Sequence, residues 1–102
     1  MINLIRDNLP ELINLCRRHR VARFEVFGSA ATGDFDPDRS DLDFLVDFGD
    51  MPGHERFDAY FDLLDDLRSL FGREIDLVES QAIRNPWFKR RVNESREELY
   101  AA

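Results

Sequence analysis

Val26-Phe27-Gly28-Ser29 is followed, eleven residues after the serine, by Ser40-Asp41-Leu42-Asp43-Phe44-Leu45-Val46. Each segment is an apolar run of strand length; the first ends in Gly-Ser, and the second carries two aspartates one residue apart. Because residues i and i+2 of a strand point to the same face, we expect Asp41 and Asp43 to project side by side. The alternate residues should point to the opposite face, into a core: Leu42, Phe44, Val46 and Phe48.

The paired aspartates predict a metal site. Two carboxylates at this spacing repel each other, and a cation or a proton normally relieves the repulsion. Mg²⁺ prefers oxygen ligands and usually accompanies nucleotide phosphates. A third strand, Glu74-Ile75-Asp76-Leu77-Val78, carries a further acid on the face opposite its apolar residues. Asp41, Asp43 and Asp76 are therefore the candidate metal ligands and catalytic residues of a two-Mg²⁺ site for in-line phosphoryl transfer.

Three residues beside the acids are candidates for nucleotide binding. Gly28 has no Cβ and so allows the backbone to come close to a phosphate. Ser29 and the amides after it are expected to open a helical turn, which is a common place for anion binding. Ser40 precedes Asp41 and is a candidate for contact with phosphate or ribose, although a role on the loop surface explains it equally well.

The ordered set Gly28-Ser29, Asp41-x-Asp43 and Asp76 resembles the polymerase-β-type nucleotidyltransferase superfamily. The longer stretch from Phe27-Gly28-Ser29 through Pro37-Asp38 to Ser40-Asp41-Leu42-Asp43 is similar to its minimal nucleotidyltransferase branch. This resemblance spans essentially the whole chain, so we expect a single domain over residues 1–102. It implies an α/β fold like the polymerase-β palm, with a small mixed sheet flanked by helices.

The resemblance also implies a reaction and a partner. Members of the minimal branch are similar to antitoxins that work beside a HEPN-type ribonuclease toxin, and some transfer AMP to a toxin tyrosine. By that resemblance, ATP is the expected substrate and a protein hydroxyl is the expected acceptor. Asp76 is expected to help deprotonate that hydroxyl. Two alternatives stay open: an antitoxin that neutralises its toxin by binding alone, and a homodimeric nucleotidyltransferase that modifies a small molecule.

Composition narrows the functional class. The 102 residues are 43% hydrophobic and include nine phenylalanines, which favours a packed globule over disorder. The net charge of −7 argues against a nucleic-acid acceptor, because phosphate backbones are bound mainly by Lys and Arg. We expect no signal peptide and no membrane span, since the chain has no long apolar run. The single Cys16 cannot form an internal disulfide, which favours the cytoplasm.

Periodicity predicts the order helix, strand, strand, helix, strand, helix. The first helix begins around Asn8 with Pro10 in its first turn, and the second runs from 54 to 71 with Gly72 as its cap. Asn85-Pro86 begins the last helix, which is predicted to extend to Leu99. Its aromatic and basic start is explained by packing with solvated cations or, alternatively, by attraction of a triphosphate or an acidic partner. The predicted strands cover 22–27, 41–48 and 74–78.

Overall fold

The computed structural model describes all residues from 1 to 102. The chain forms five α-helices and four strands, with a short 3₁₀ turn at Ser80–Ala82. The elements are α1 (Asn3–Asp7), α2 (Leu9–Arg18), β1 (Arg23–Phe27), α3 (Ser29–Thr32), β2 (Leu42–Asp47), α4 (Gly53–Phe71), β3 (Ile75–Glu79), α5 (Pro86–Ser95) and β4 (Glu97–Ala101).

The four strands form one mixed sheet in the order β3-β2-β1-β4. β1 is antiparallel to both β2 and β4, whereas β2 and β3 are parallel and are joined by α4. A parallel pair requires such a crossover, because its two strands run in the same direction and the chain must return to the end at which the first strand began. The register aligns Phe27 with Asp43 and Asp43 with Asp76, so the two predicted acids Asp43 and Asp76 lie in one row with Phe27 across three strands.

One face of the sheet carries the main hydrophobic core. This cluster contains 18 buried residues and is closed by α2 and α4. The phenyl rings of Phe24 and Phe44 stack at its centre with 4.9 Å between their centroids. The predicted inward-facing residues of β2 and its end are all buried here: Leu42, Phe44, Val46 and Phe48.

The opposite face carries a much smaller cluster under α5. Only three buried residues form it, namely Phe27, Leu45 and Val92. Phe88 of α5 packs its ring edge against Phe27, with 6.0 Å between the ring centroids. Asp43 and Asp47 of β2 and Asp76 of β3 lie on this thinly covered face, because they alternate with the residues of the main core.

Local sequence signals explain most of the helix boundaries. α4 ends where Gly72 adopts the left-handed conformation at φ 62°. α5 begins where the Asn85 carboxamide oxygen accepts hydrogen bonds from the amides of Trp87 and Phe88. Asn8 does precede α2 as predicted, but its side chain donates to the Leu4 carbonyl of the short helix α1 instead of capping α2.

The predicted extent of the last helix is wrong. α5 ends at Ser95, and residues 97–101 form β4 along the outer edge of β1. Arg96 leaves the helical conformation at φ −61° and ψ 137°, and its guanidinium donates to both carboxylate oxygens of Glu25 in β1. Pairing with β4 satisfies backbone groups of β1 that would otherwise form an open edge. Leu99 therefore lies on a strand and not on a helix.

None of the helices combines the length and the apolar composition that a membrane span requires.

Candidate active site

Two of the three candidate acids are direct neighbours across the sheet. Asp43 of β2 pairs in register with Asp76 of β3, and both lie on the face opposite the main core. Asp41 comes just before β2 and is exposed. It is close enough to Asp43 to influence its charge. The structure thus brings the predicted carboxylates together at one end of the parallel strand pair.

The Asp43 carboxyl is partly buried and has two other acids near it. Partial burial raises the pKa of its carboxyl to about 6, and the negative charges of Asp76 and Asp41 contribute to the rise. The guanidinium of Arg91 in α5 acts in the opposite direction. A carboxylate held in this way gains more from a nearby cation than an exposed one does, because the cation relieves both burial and repulsion.

Gly28 is required by the geometry of Asp43. It adopts φ 70° and ψ −149°, a region that is open essentially to glycine alone. A Cβ at this position would lie 2.6 Å from Asp43 Oδ2, so any side chain would displace the carboxylate. The Gly28 N–H also has a partner in the structure: it donates to the Ser95 hydroxyl oxygen at 2.8 Å. Ser95 thereby fixes the turn that follows β1.

A cavity of about 210 Å³ lies between these strands and α5. Its lining combines the predicted Gly28, Asp43 and Asp76 with residues of α5 that sequence reasoning did not assign to the site. Those residues are Phe88, Arg91, Val92 and Ser95. Their spacing of i, i+3, i+4 and i+7 marks one helix face, which was the available signal. That signal had no meaning until α5 was known to cover the acid-bearing face.

The two candidate serines lie near the cavity but do not line it. Ser29 is the first residue of α3, directly after Gly28. Ser40 has its hydroxyl engaged within the loop, where it accepts from the Asp36 amide at 3.0 Å. Their roles in nucleotide binding stay predictions.

The donor set fits a hard divalent cation that completes its coordination with substrate and water. No three carboxylate, imidazole or thiol groups of the chain form a ready-made metal cage. Mg²⁺ does not need one, since it typically takes one or two protein carboxylates and keeps waters and substrate phosphates as its other ligands. Asp43 and Asp76, with Asp41 beside them, offer oxygen ligands of that kind.

A larger open groove lies elsewhere, between α2 and α4, and lacks this chemistry. It has a volume of about 370 Å³ and includes the carboxylates of Glu11 and Asp66. Asp66 is already paired with His19 at 2.6 Å and with Arg18 at 3.5 Å. The 210 Å³ cavity therefore remains the candidate active site, because there the acids lack such partners.

A family comparison decides what kind of site this is. The chain matches the model of the nucleotidyltransferase domain over residues 9–99. The chain belongs to this nucleotidyltransferase family. It is also 36% identical over 94 residues to a protein of Methanocaldococcus jannaschii that is provisionally named a protein adenylyltransferase. That match covers 91% of this chain and 92% of the relative.

Comparison with solved structures shows the fold. A chain of a toxin–antitoxin complex with AMP-PNP aligns with a TM-score of 0.71 at 22% identity, covering 93% of this chain and 74% of that chain. A chain from the complex of a tri-AMPylated HEPN toxin of Shewanella oneidensis with its MNT antitoxin gives 0.65 at 20% identity, covering 95% and 72%. The predicted minimal nucleotidyltransferase fold and the predicted enzyme class are confirmed.

Proposed function

We infer that this nucleotidyltransferase transfers AMP from ATP to a hydroxyl group, tyrosine by family resemblance, on a HEPN-type toxin, and so acts as the antitoxin of that toxin. The single observation that carries the chemistry is that Gly28, Asp43 and Asp76 line one cavity. The protein acceptor is supported by the provisional name of the Methanocaldococcus relative. The toxin partner is supported by the complexes in which the structural neighbours occur.

In this proposal the three acids bind the metal, and one of them also accepts a proton from the acceptor. Asp41, Asp43 and Asp76 would hold Mg²⁺, two ions in our proposal. When bound, Mg²⁺ neutralises phosphate charge and lowers the pKa of the attacking hydroxyl. Asp76 accepts the proton as the acceptor oxygen forms its bond to the α-phosphorus. The bond from that phosphorus to the bridging oxygen breaks, and pyrophosphate leaves with the electron pair.

The shape of the site favours a macromolecular acceptor that approaches from outside. The cavity is bounded by the strands and α5 of this one domain. Its volume of about 210 Å³ lies below the range of roughly 300–1,000 Å³ that encloses a drug-sized ligand. A nucleotide bound there would leave little room for the acceptor, which supports an acceptor hydroxyl presented from outside the cavity.

Intact-mass spectrometry of the co-expressed toxin tests this function. We expect the toxin to gain one or more AMP units when ATP and Mg²⁺ are supplied. Asp41→Asn combined with Asp43→Asn should reduce transfer by about 10³-fold or more, because the metal-binding charge is removed. The double variant should melt no lower than the wild type, since both acids point away from the main core and repel each other.

Asp47→Asn is the matched control. Asp47 lies on the same face of β2, but its carboxylate accepts hydrogen bonds from the amide of Gly49 and the side chain of Gln81. Its neutralisation should leave transfer unchanged. A toxin that is neutralised without any change in mass would instead favour an antitoxin that acts by binding alone. Transfer to a small molecule by a homodimer would favour the remaining alternative.

A further inference from the structure

One face of α5 forms a wall of the active-site cavity. Phe88, Arg91, Val92 and Ser95 line it together. Phe88 and Val92 contribute to the small apolar cluster of that face, and Ser95 accepts the Gly28 N–H. Three of these four residues thus have a structural partner within the domain. Arg91 is the exception.

Arg91 is the only cationic side chain that lines the cavity. Its guanidinium takes part in no ion pair and no hydrogen bond of the chain, whereas the guanidinium of Arg96, just after α5, is held by Glu25. Arg90, its immediate neighbour, lies over the Trp87 ring at 5.3 Å and does not line the cavity. The structure therefore leaves one uncommitted guanidinium facing the acids of the site.

An anionic ligand explains this arrangement best. A guanidinium presents a planar fork of donors that matches phosphate oxygens. The acids and a triphosphate would repel each other strongly, and Arg91 supplies positive charge on the wall opposite the strands. The cavity of about 210 Å³ is smaller than the roughly 300–1,000 Å³ of pockets that enclose drug-sized ligands, so part of a bound nucleotide would extend beyond it.

We propose that Arg91 binds the β- and γ-phosphates of the nucleotide, which leave as pyrophosphate. This inference rests on the proposed nucleotidyl transfer and assigns the orientation of the substrate within that site. The α-phosphate lies at Asp43 and Asp76, where the acceptor attacks, and the rest of the chain extends towards α5. As the bond from the α-phosphorus to the bridging oxygen breaks, Arg91 stabilises the charge that collects on the departing pyrophosphate.

Calorimetric titration with Mg²⁺ and a ligand series tests this role. The series is ATP, AMP and inorganic tripolyphosphate, each added to the purified chain. Arg91→Ala should weaken binding of ATP and of tripolyphosphate by about 10- to 100-fold, the usual effect of losing charge-assisted hydrogen bonds. Binding of AMP should change by less than about twofold, because AMP lacks the β- and γ-phosphates. Arg91→Lys should recover part of the loss, since it keeps the charge but not the fork.

Arg90→Ala is the matched control, because it removes the same charge from the adjacent position on the same helix. It should leave all three affinities within about twofold of the wild type, since only screened long-range attraction is lost. Unchanged ATP binding in Arg91→Ala overturns the role of Arg91 and leaves the proposed transfer intact. An equal loss for ATP and AMP overturns it as well, since Arg91 would then support the nucleoside. Wild-type protein that binds no triphosphate overturns both proposals.

Discussion

The two faces of the sheet are built for different purposes. The face under α2 and α4 buries 18 residues in one cluster, whereas the face under α5 buries three. The same strands supply both, because alternate residues of β1 and β2 point in opposite directions. Phe44 is in the main core, while Asp43 next to it lines the candidate active site. A single residue step along β2 thus separates the main core from the candidate site.

The largest effect on stability should come from the main core. Phe44→Ala removes a fully buried ring that stacks on Phe24 at 4.9 Å and packs near Phe71 at 6.0 Å. We expect it to lower the free energy of unfolding by about 3–5 kcal/mol, because it deletes apolar contacts and leaves a cavity. Leu45→Ala, at the next position and on the thin face, should cost about 2 kcal/mol. Urea denaturation of both variants measures the difference.

The comparison between Phe44 and Leu45 is informative because both side chains are almost fully buried. They differ in the size of the side chain and in how much apolar structure surrounds it, and not in exposure. If Leu45→Ala proved as costly as Phe44→Ala, the small cluster under α5 would be a second structural core, and the separation of the two faces would not hold.

A second prediction concerns Gly28, which lies next to the Asp43 carboxylate. Gly28→Ala forces a Cβ into the space of Asp43 Oδ2 and into a backbone region reserved for glycine. We expect a loss of about 1–3 kcal/mol in stability. The loss of transfer should exceed what that destabilisation explains, because the Asp43 carboxylate is displaced. Thermal melting together with the transfer assay separates these two effects.

Gly72→Ala provides the control for backbone strain. Gly72 has a similar φ of 62°, but a Cβ there would meet nothing within 4 Å. It should cost about 1 kcal/mol and leave specific activity unchanged. Similar losses of activity in both glycine variants would mean that backbone strain, and not the position of Asp43, controls the site.

Sequence reasoning succeeded where local spacing decides the structure. The period of two along β2 placed Asp43 opposite the main-core residues, and the same period placed Asp76 opposite the apolar residues of the third strand. It failed at residues 97–101, because Leu99 also fits the apolar stripe of a continued helix. The deciding interactions there are long-range, namely the open edge of β1 and the ion pair between Arg96 and Glu25. Ser95 was missed for the same reason, and Arg91 could not be singled out among the cations that start α5, since the role of each depends on where α5 packs.

The smallest predicted effect tests whether the ion pair between Arg96 and Glu25 supports the sheet face under α5. Glu25 is 4% exposed, lies on the same face of β1 as Phe27, and binds Arg96 at the junction of α5 and β4. Hydrogen bonds from Arg96 hold the pKa of the Glu25 carboxyl below its usual range. This stabilisation is therefore complete above the unfolded pKa of about 4.3 and is lost as the pH falls through the lower folded value. Glu25→Gln should lower the free energy of unfolding by about 1–2 kcal/mol at pH 7. The stability of this variant should also fall less than that of the wild type as the pH is lowered. Glu98→Gln, which affects only an exposed pair with Arg23, should have neither effect.

Hydrogen exchange tests where the ion pair between Glu25 and Arg96 acts. Because Arg96 follows Ser95, we expect Glu25→Gln to speed hydrogen exchange at the Gly28 amide and in β4 more than in the main core. Equal acceleration on both faces would contradict a local role for the ion pair.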